Sequence, residues 1–422
     1  MRVTFIAFGT RGDVQPAIAL GQALQANGHH VRVLASSHFK PWIESHGLEA
    51  AEASVDVQAV MESEGGQDWV EHGNNPIRQM RVMKALLDKW GRAMMLDAWN
   101  ACRDAEAVVS SFTSDLYAVS IAERVGARHI SMLLQPALIA TRSGAAVINA
   151  PAPNRESVFN YLFGKMLVET MPWQLFGVQA NRFREQALGI PPQTLAQNLA
   201  ARRRMLVVHG YSRHVVPPPP DWPGNYHTTG YWFLDESDHW SPPPGLEKFI
   251  QTGEPPVCIG FGSMTGRDPQ RITRLVVEAV KRSGRRAVLL AGWAGLGAED
   301  LPPTIFRLDA APHGWLYPRM AAVVHHGGAG TIAAGLHAGV PTVVVPHMAD
   351  QPFWGQRIHA LGVGPRPIPR PRLTAENLGK AIRLAAADPA MRRRAADLGA
   401  KIRAEDGIGR AVGLIEAYLR GR

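Results

Sequence analysis

The sequence predicts an α/β protein built from two doubly wound domains. Three observations carry that expectation. The chain opens on a strand, a glycine turn, a helix and a second strand. The same alternation restarts after a proline-rich stretch near the middle. The length, 422 residues, exceeds one domain at ~150 residues each and suits two.

Val3 to Phe8 is apolar but for Thr4 and runs into Gly9, the pattern of a strand buried on both faces. From about Val14 to Asn27, Ile18, Leu20, Ala23 and Leu24 recur at helical spacing, and Asn27-Gly28 supplies a stop. Val31–Ala35 is the next strand, and Ala107–Ser110 and His129–Leu133 read as later strands of the same parallel sheet. Residues 139–199 are rich in aromatics and methionine at helical spacing. Two readings stay open for them: ordinary helix packing, or the wall of an apolar pocket. Two proline clusters, 217–220 and 242–244, mark stiff extended connection, so residues 216–245 are expected to link the domains. The second half then gives strands at 256–262, 287–291, 322–324 and 342–345, helices from about 269 to 283 and from Gly330, and an amphipathic tail from about 405 to 419.

Composition excludes several classes. Hydrophobic residues make up 46% and charged residues 19%, which is enough apolar material for real cores. The net charge is +9, but Arg202–Arg204 and Arg392–Arg394 are short helical clusters without interleaved aromatics. They are expected to be solvated faces, with no nucleic-acid partner. The two cysteines, Cys102 and Cys258, stand in no metal spacing and are expected to be reduced. The apolar start is too short for a signal peptide, and no run reaches the ~18 residues of a membrane span. The expectation is a soluble, cytoplasmic chain.

Three stretches carry chemistry. In the first, a strand ends at Val324 and His325-His326-Gly327-Gly328-Ala329-Gly330-Thr331 opens a helix. Glycines let backbone N–H groups approach a bulky anion, and the helix N-terminus adds partial positive charge. His326 and Thr331 can add donors, so the turn suits a diphosphate held without a metal. A rival reading is a dinucleotide fingerprint, Gly328-Ala329-Gly330-Thr331-Ile332-Ala333, with Asp350 as its acid. That carboxylate falls beyond the next strand, in a loop, and the turn after the first strand lacks the fingerprint. The second stretch, Pro346 to Trp354, sets Asp350 beside Gln351 on a strand-end loop, a pair suited to sugar hydroxyls or to a simple helix cap. The third, Gly9 to Pro16, places Asp13 after the first strand, either as a carboxylate for a ligand or as an N-cap.

His-Gly-Gly-Ala-Gly-Thr (326–331), Ala-Gly-Val-Pro (338–341) and Asp-Gln-Pro-Phe-Trp-Gly (350–355) together resemble the donor signature of the family-1, UDP-dependent glycosyltransferases of the GT-B fold, on the side of their sterol- and antibiotic-type members. Gly-Thr-Arg-Gly-Asp-Val-Gln-Pro (9–16), Gly-Phe-Gly-Ser-Met (260–264) and Gly-Trp-Ala-Gly-Leu (292–296) extend the likeness along nearly the whole chain.

The resemblance implies two Rossmann-like domains facing across a cleft that closes in turnover: an acceptor domain over 1–215, a donor domain over 246–404, and a helix at 405–422 that packs back on the first. It implies a diphosphate held by His326, Gly328, Ala329, Gly330, Thr331 and Ser263. Asp350 and Gln351 would hold the sugar, and His313, Trp315 and Trp293 would lie at the nucleobase. Asp13 would be the general base, with Asp115 either its helper or a helix cap. The implied reaction is an inverting, metal-independent transfer of a hexose, glucose from UDP-glucose, to a hydroxyl of a sterol, triterpenoid, macrolide or other polyketide. The nucleotide sugar is then a substrate and no cofactor is needed; peripheral membrane contact is compatible with such an acceptor. A dTDP-sugar donor, an NAD-dependent oxidoreductase and a non-catalytic binding protein are the alternatives.

Overall fold

The computed structural model describes residues 1–63, 65–67, 76–136, 140–143, 156–234, 240–262, 269–292 and 301–421. The chain divides into two compact units. One holds Met1–Gly66, Met80–Leu234 and Glu405–Arg422; the other holds Gln67–Gln79 and Asp235–Ala404.

The first unit is built on a parallel seven-stranded sheet. Its strands are β1 (Arg2–Ile6), β2 (His30–Ser36), β3 (Glu49–Ala53), β4 (Ala107–Ser110), β5 (Arg128–Leu133), β6 (Leu206–His209) and β7 (Tyr226–Thr228), in the order β3-β2-β1-β4-β5-β6-β7. Alternation along the strands sorts their side chains into two cores. Val3, Phe5, Val31, Val33, Ala107 and Val109 face one layer, against the Arg11–Ala26 helix and the Gly407–Leu419 helix. Ile6, Leu34 and Val108 face the other, with Met95, Ala98, Tyr117 and Phe183. Because β7 pairs with β6 at Val207↔Tyr226, the expected linker over 216–245 is in part a strand of this sheet, and the unit runs on to Leu234.

The second unit carries β8 (Val257–Gly260), β9 (Ala287–Leu290), β10 (Ile305–Leu308), β11 (Ala322–His325) and β12 (Thr342–Val344), parallel, in the order β10-β9-β8-β11-β12. The same alternation gives one core around Ile259, Leu289 and Val324, and another around Cys258, Val288 and Val323. In each unit the strand order reverses direction once, at β1/β4 and at β8/β11. Ligands in such sheets bind outside the carboxyl ends of the strands at that point. Cys102 and Cys258 are free and buried. Among the described residues no helix is long and apolar enough to cross a membrane.

Candidate active site

In the second unit, the carboxyl ends of β8, β11 and β12 lie side by side, with His325 in register with Gly260 and with Val344. Three loops therefore emerge together: Phe261-Gly262, His326-Gly327-Gly328, and Val345 to Asp350. The Ala329–Ala338 helix starts from the middle one, with Gly328 as N-cap and no side-chain cap bond. Its first-turn N–H groups are thus left to solvent or a ligand. His326 is half-buried beside this turn, and its Nδ1 is enclosed with no hydrogen-bond partner among the described residues. Desolvation lowers its pKa to about 4, so the ring is neutral at pH 7 and carries one N–H to give. Gly328 makes room for it, since a Cβ there would collide with His326 Nε2 at 2.6 Å; one on Gly262 would only touch the ring, at 3.5 Å. Gly330 is exposed and Ala329 and Thr331 half-buried, so the turn has an open side.

The neighbouring loop is pinned from within. Gln351 is buried, and its Oε1 accepts from His347 N at 2.8 Å and Met348 N at 3.1 Å. The Gln351 carbonyl thus holds the loop, and only its amide nitrogen is left for a hydroxyl. Asp350 stands at the N-cap position of the Gln351–Ala360 helix but makes no cap bond; its Oδ2 accepts from Trp354 Nε1 at 2.7 Å. Burial raises the Asp350 pKa, against that hydrogen bond. Trp354 fixes the carboxylate four residues before it, a partner the sequence reading missed although i,i+4 spacing on a helix was its signal. Ala349, just before Asp350, has φ +52°, the one positive-φ residue other than glycine among the described residues. His347, also without a role in the sequence reading, donates Nδ1–H to Val345 O at 2.8 Å and lies 5.9 Å from the Phe261 ring, which ties two of the loops together.

At the residues expected near the nucleobase, His313 stacks on Tyr317 with ring centroids 4.4 Å apart. The Trp315 ring is shared between Trp240, at 4.9 Å, and the Arg319 guanidinium, at 4.2 Å. Ser263 and Trp293 lie outside the described residues.

In the first unit, Asp13 follows the carboxyl end of β1, in the first turn of the Arg11–Ala26 helix. Thr10, not Asp13, is the N-cap. Asp13 Oδ2 accepts from Thr10 N at 2.8 Å, as the third residue of a capping box does, so the expected cap position is corrected by three residues. Gly9 leaves space for this carboxylate, since a Cβ there would sit 2.0 Å from Asp13 Oδ2. Asp115 is not a cap either: Ser114 holds that position. The buried Asp115 accepts from Ser110 Oγ and, at 2.8 Å, from Ser131 Oγ. His129 Nε2 reaches the same Ser110 Oγ at 2.7 Å. Desolvation raises the Asp115 carboxyl to about 6 and lowers His129 to about 3. Arg202, expected on a solvated face, is buried and bears electrostatically on both, because the end of its helix packs inward.

The aromatic-rich stretch divides. Val168, Ala180 and Phe183 are buried, while Val158, Phe159, Leu162, Phe163 and Met166 stay exposed on one helical stripe, Phe159 at 73%.

Comparison with known proteins is consistent along the chain. Residues 3–126 match the glycosyltransferase family 28 N-terminal domain, and residues 287–408 match the erythromycin biosynthesis protein CIII-like C-terminal domain. A sterol 3-beta-glucosyltransferase of Aspergillus clavatus is 35% identical over 98% of this chain and 29% of its own length. One from Cryptococcus neoformans var. neoformans is 34% identical over 100% of this chain and 27% of its own. The chain thus spans less than a third of these curated relatives. Among solved structures, the calicheamicin glycosyltransferase CalG4 superposes with a TM-score of 0.71 at 19% identity, over 100% of this chain and 99% of that one. The glycosyltransferase SsfS6 from Streptomyces sp. SF2575, complexed with thymidine diphosphate, gives 0.65 at 21% identity, over 99% of each chain.

Proposed function

Because the chain belongs to the GT-B glycosyltransferases, we propose that it moves a hexose, glucose from UDP-glucose, onto a hydroxyl of an apolar acceptor with inversion at the anomeric carbon. One observation carries the reading. The ends of β8, β11 and β12 bring a capless helix N-terminus, an enclosed neutral imidazole and a carboxylate–amide pair to one edge of the second sheet.

In this proposal the diphosphate lies on the first-turn amides of the Ala329–Ala338 helix, with Thr331 Oγ, a His326 N–H and the Ser263 hydroxyl as further donors. As the anomeric C–O bond breaks, negative charge grows on the leaving diphosphate, and donors set at that position before the reaction would stabilise it. They do this without a metal. Asp350, held by Trp354, and the amide of Gln351 take the sugar hydroxyls. The nucleobase lies along His313 and Trp315, with Trp293 as a further contact. On the first unit Asp13 takes the acceptor proton. A carboxylate is a weak base towards a free alcohol, so the proton leaves late, once the attacking oxygen is partly cationic.

The exposed stripe from Val158 to Met166 supports an apolar acceptor and a peripheral contact with the membrane that would hold it. Two buried free thiols suit a reducing cytoplasm.

Asp13→Asn should fold normally and lose about 10²–10⁴-fold in turnover; a folded variant with wild-type turnover removes Asp13 as the base. The donor is settled by titrating UDP, dTDP and NAD separately in a calorimeter. We expect UDP to bind. Binding of dTDP alone would move the donor to a dTDP-sugar, and binding of NAD alone would overturn the transferase reading. Co-sedimentation with anionic vesicles should fall when Phe159 and Phe163 are replaced by Ser; unchanged sedimentation removes the membrane contact.

A further inference from the structure

The last residue of β11, His325, points away from the open side of the glycine turn. It is 1% exposed and its Nδ1 accepts from Gly327 N at 3.0 Å. Gly327 has φ +96°, and a Cβ there would lie 2.6 Å from Val344 Cγ1, so the chain is squeezed through this point with one conformation open to it. The next residues are Gly328, the N-cap, and the first turn of the helix. What holds Gly327 therefore sets the direction of every amide that follows. An Nδ1 that accepts must be unprotonated, which puts the ring proton on Nε2. Among the described residues that Nε2 is buried and without a partner. Burial, with His326 and His313 nearby, keeps the ring neutral. A buried imidazole with an idle N–H at one end is explained by what its other end does.

We propose that His325 is a positioning residue of the donor site: by accepting from the Gly327 amide it sets the glycine turn whose later amides and His326 hold the diphosphate. This rests on the donor-site reading above.

A matched pair of variants isolates the bond. His325→Asn keeps an acceptor where Nδ1 stood, and His325→Leu puts a methyl there; both leave a similar void where the rest of the ring was. We expect His325→Leu to lose about tenfold in UDP affinity by calorimetry, the size of one hydrogen bond, and to raise the donor KM with the acceptor KM unchanged. His325→Asn should stay within about threefold of wild type on the same scale. If both variants weaken UDP binding alike, the effect is the void and the inference fails; it fails equally if the Leu variant binds as wild type does. Wild-type protein that binds neither UDP nor dTDP instead overturns the donor site itself. Should the Leu variant not fold, 15N-histidine labelling of the wild type decides: an Nε2–H tautomer at His325 supports the inference, and a proton on Nδ1 overturns it.

Discussion

Asp115 carries its carboxylate between two strand hydroxyls, Ser110 at the end of β4 and Ser131 within β5, and burial raises its titration to about 6. A carboxyl whose folded pKa lies above its unfolded value stabilises the fold below that unfolded value and loses the contribution as pH rises through about 6. His129, His326 and His347 act in the opposite sense. Burial lowers them to about 3, about 4 and about 3, so their contribution is complete above the ordinary histidine pKa and is lost as pH falls below it. Asp115→Asn copies the protonated form. Its melting temperature relative to wild type should therefore be higher at pH 7 than at pH 4.5, and parallel curves across that range would count against a raised carboxyl. The sequence left Asp115 open between a helper base and a cap because residue type and spacing do not reveal burial. Its partners lie on two other strands. Asp13 was legible as a first-turn carboxylate; that Thr10 is the cap depended on where the helix begins.

The glycine turn from Gly327 to Gly330 works as an element. Its residue types led to the proposed anion site, and its geometry divides the labour. Gly327 is required by its positive φ and by Val344, whereas Gly328 is required by the His326 ring. The two alanine variants should therefore differ. Gly327→Ala should cost about 1–3 kcal/mol of stability, seen as a lower denaturation midpoint. Gly328→Ala should fold closer to wild type but displace His326 and weaken UDP binding by about tenfold or more, as loss of a charge-assisted hydrogen bond does. Equal stability losses would show that one cause underlies both. Strands fared unevenly for a related reason. β1, β4 and β11 are mostly apolar and buried along nearly their whole length, and could be read directly. β3, Glu-Ala-Ala-Glu-Ala, lies at the sheet edge with little β propensity, and β7 is three residues long and follows a proline run. Pairing with a neighbouring strand creates both.

At the scale of the whole molecule, the chain enters the first unit, builds the second, and returns. The Gly407–Leu419 helix places Ala411, Val412, Ile415 and Leu419 in the core made by the first helix and β1. Trp232 Nε1 donates to Gly407 O at 3.2 Å, fastening the returning segment where the first unit's other strand of chain departs. Ile415→Ala should therefore lower the stability of the first unit by about 2–5 kcal/mol, while UDP affinity, proposed to reside in the second, stays as in wild type. A matching loss of UDP affinity would show that the two units do not keep these properties apart.

Hydrophobic periodicity and glycine chemistry are local, so the two parallel-sheet domains, the glycine turn proposed to hold the diphosphate and the residue types around it could be read from the chain alone. Burial and partnership join positions tens to hundreds of residues apart. Only the tertiary structure decided that Gln351 spends its carbonyl on its own loop, that Trp354 holds Asp350, that Arg202 is buried, and that His325 faces inward while His326 stands at the turn.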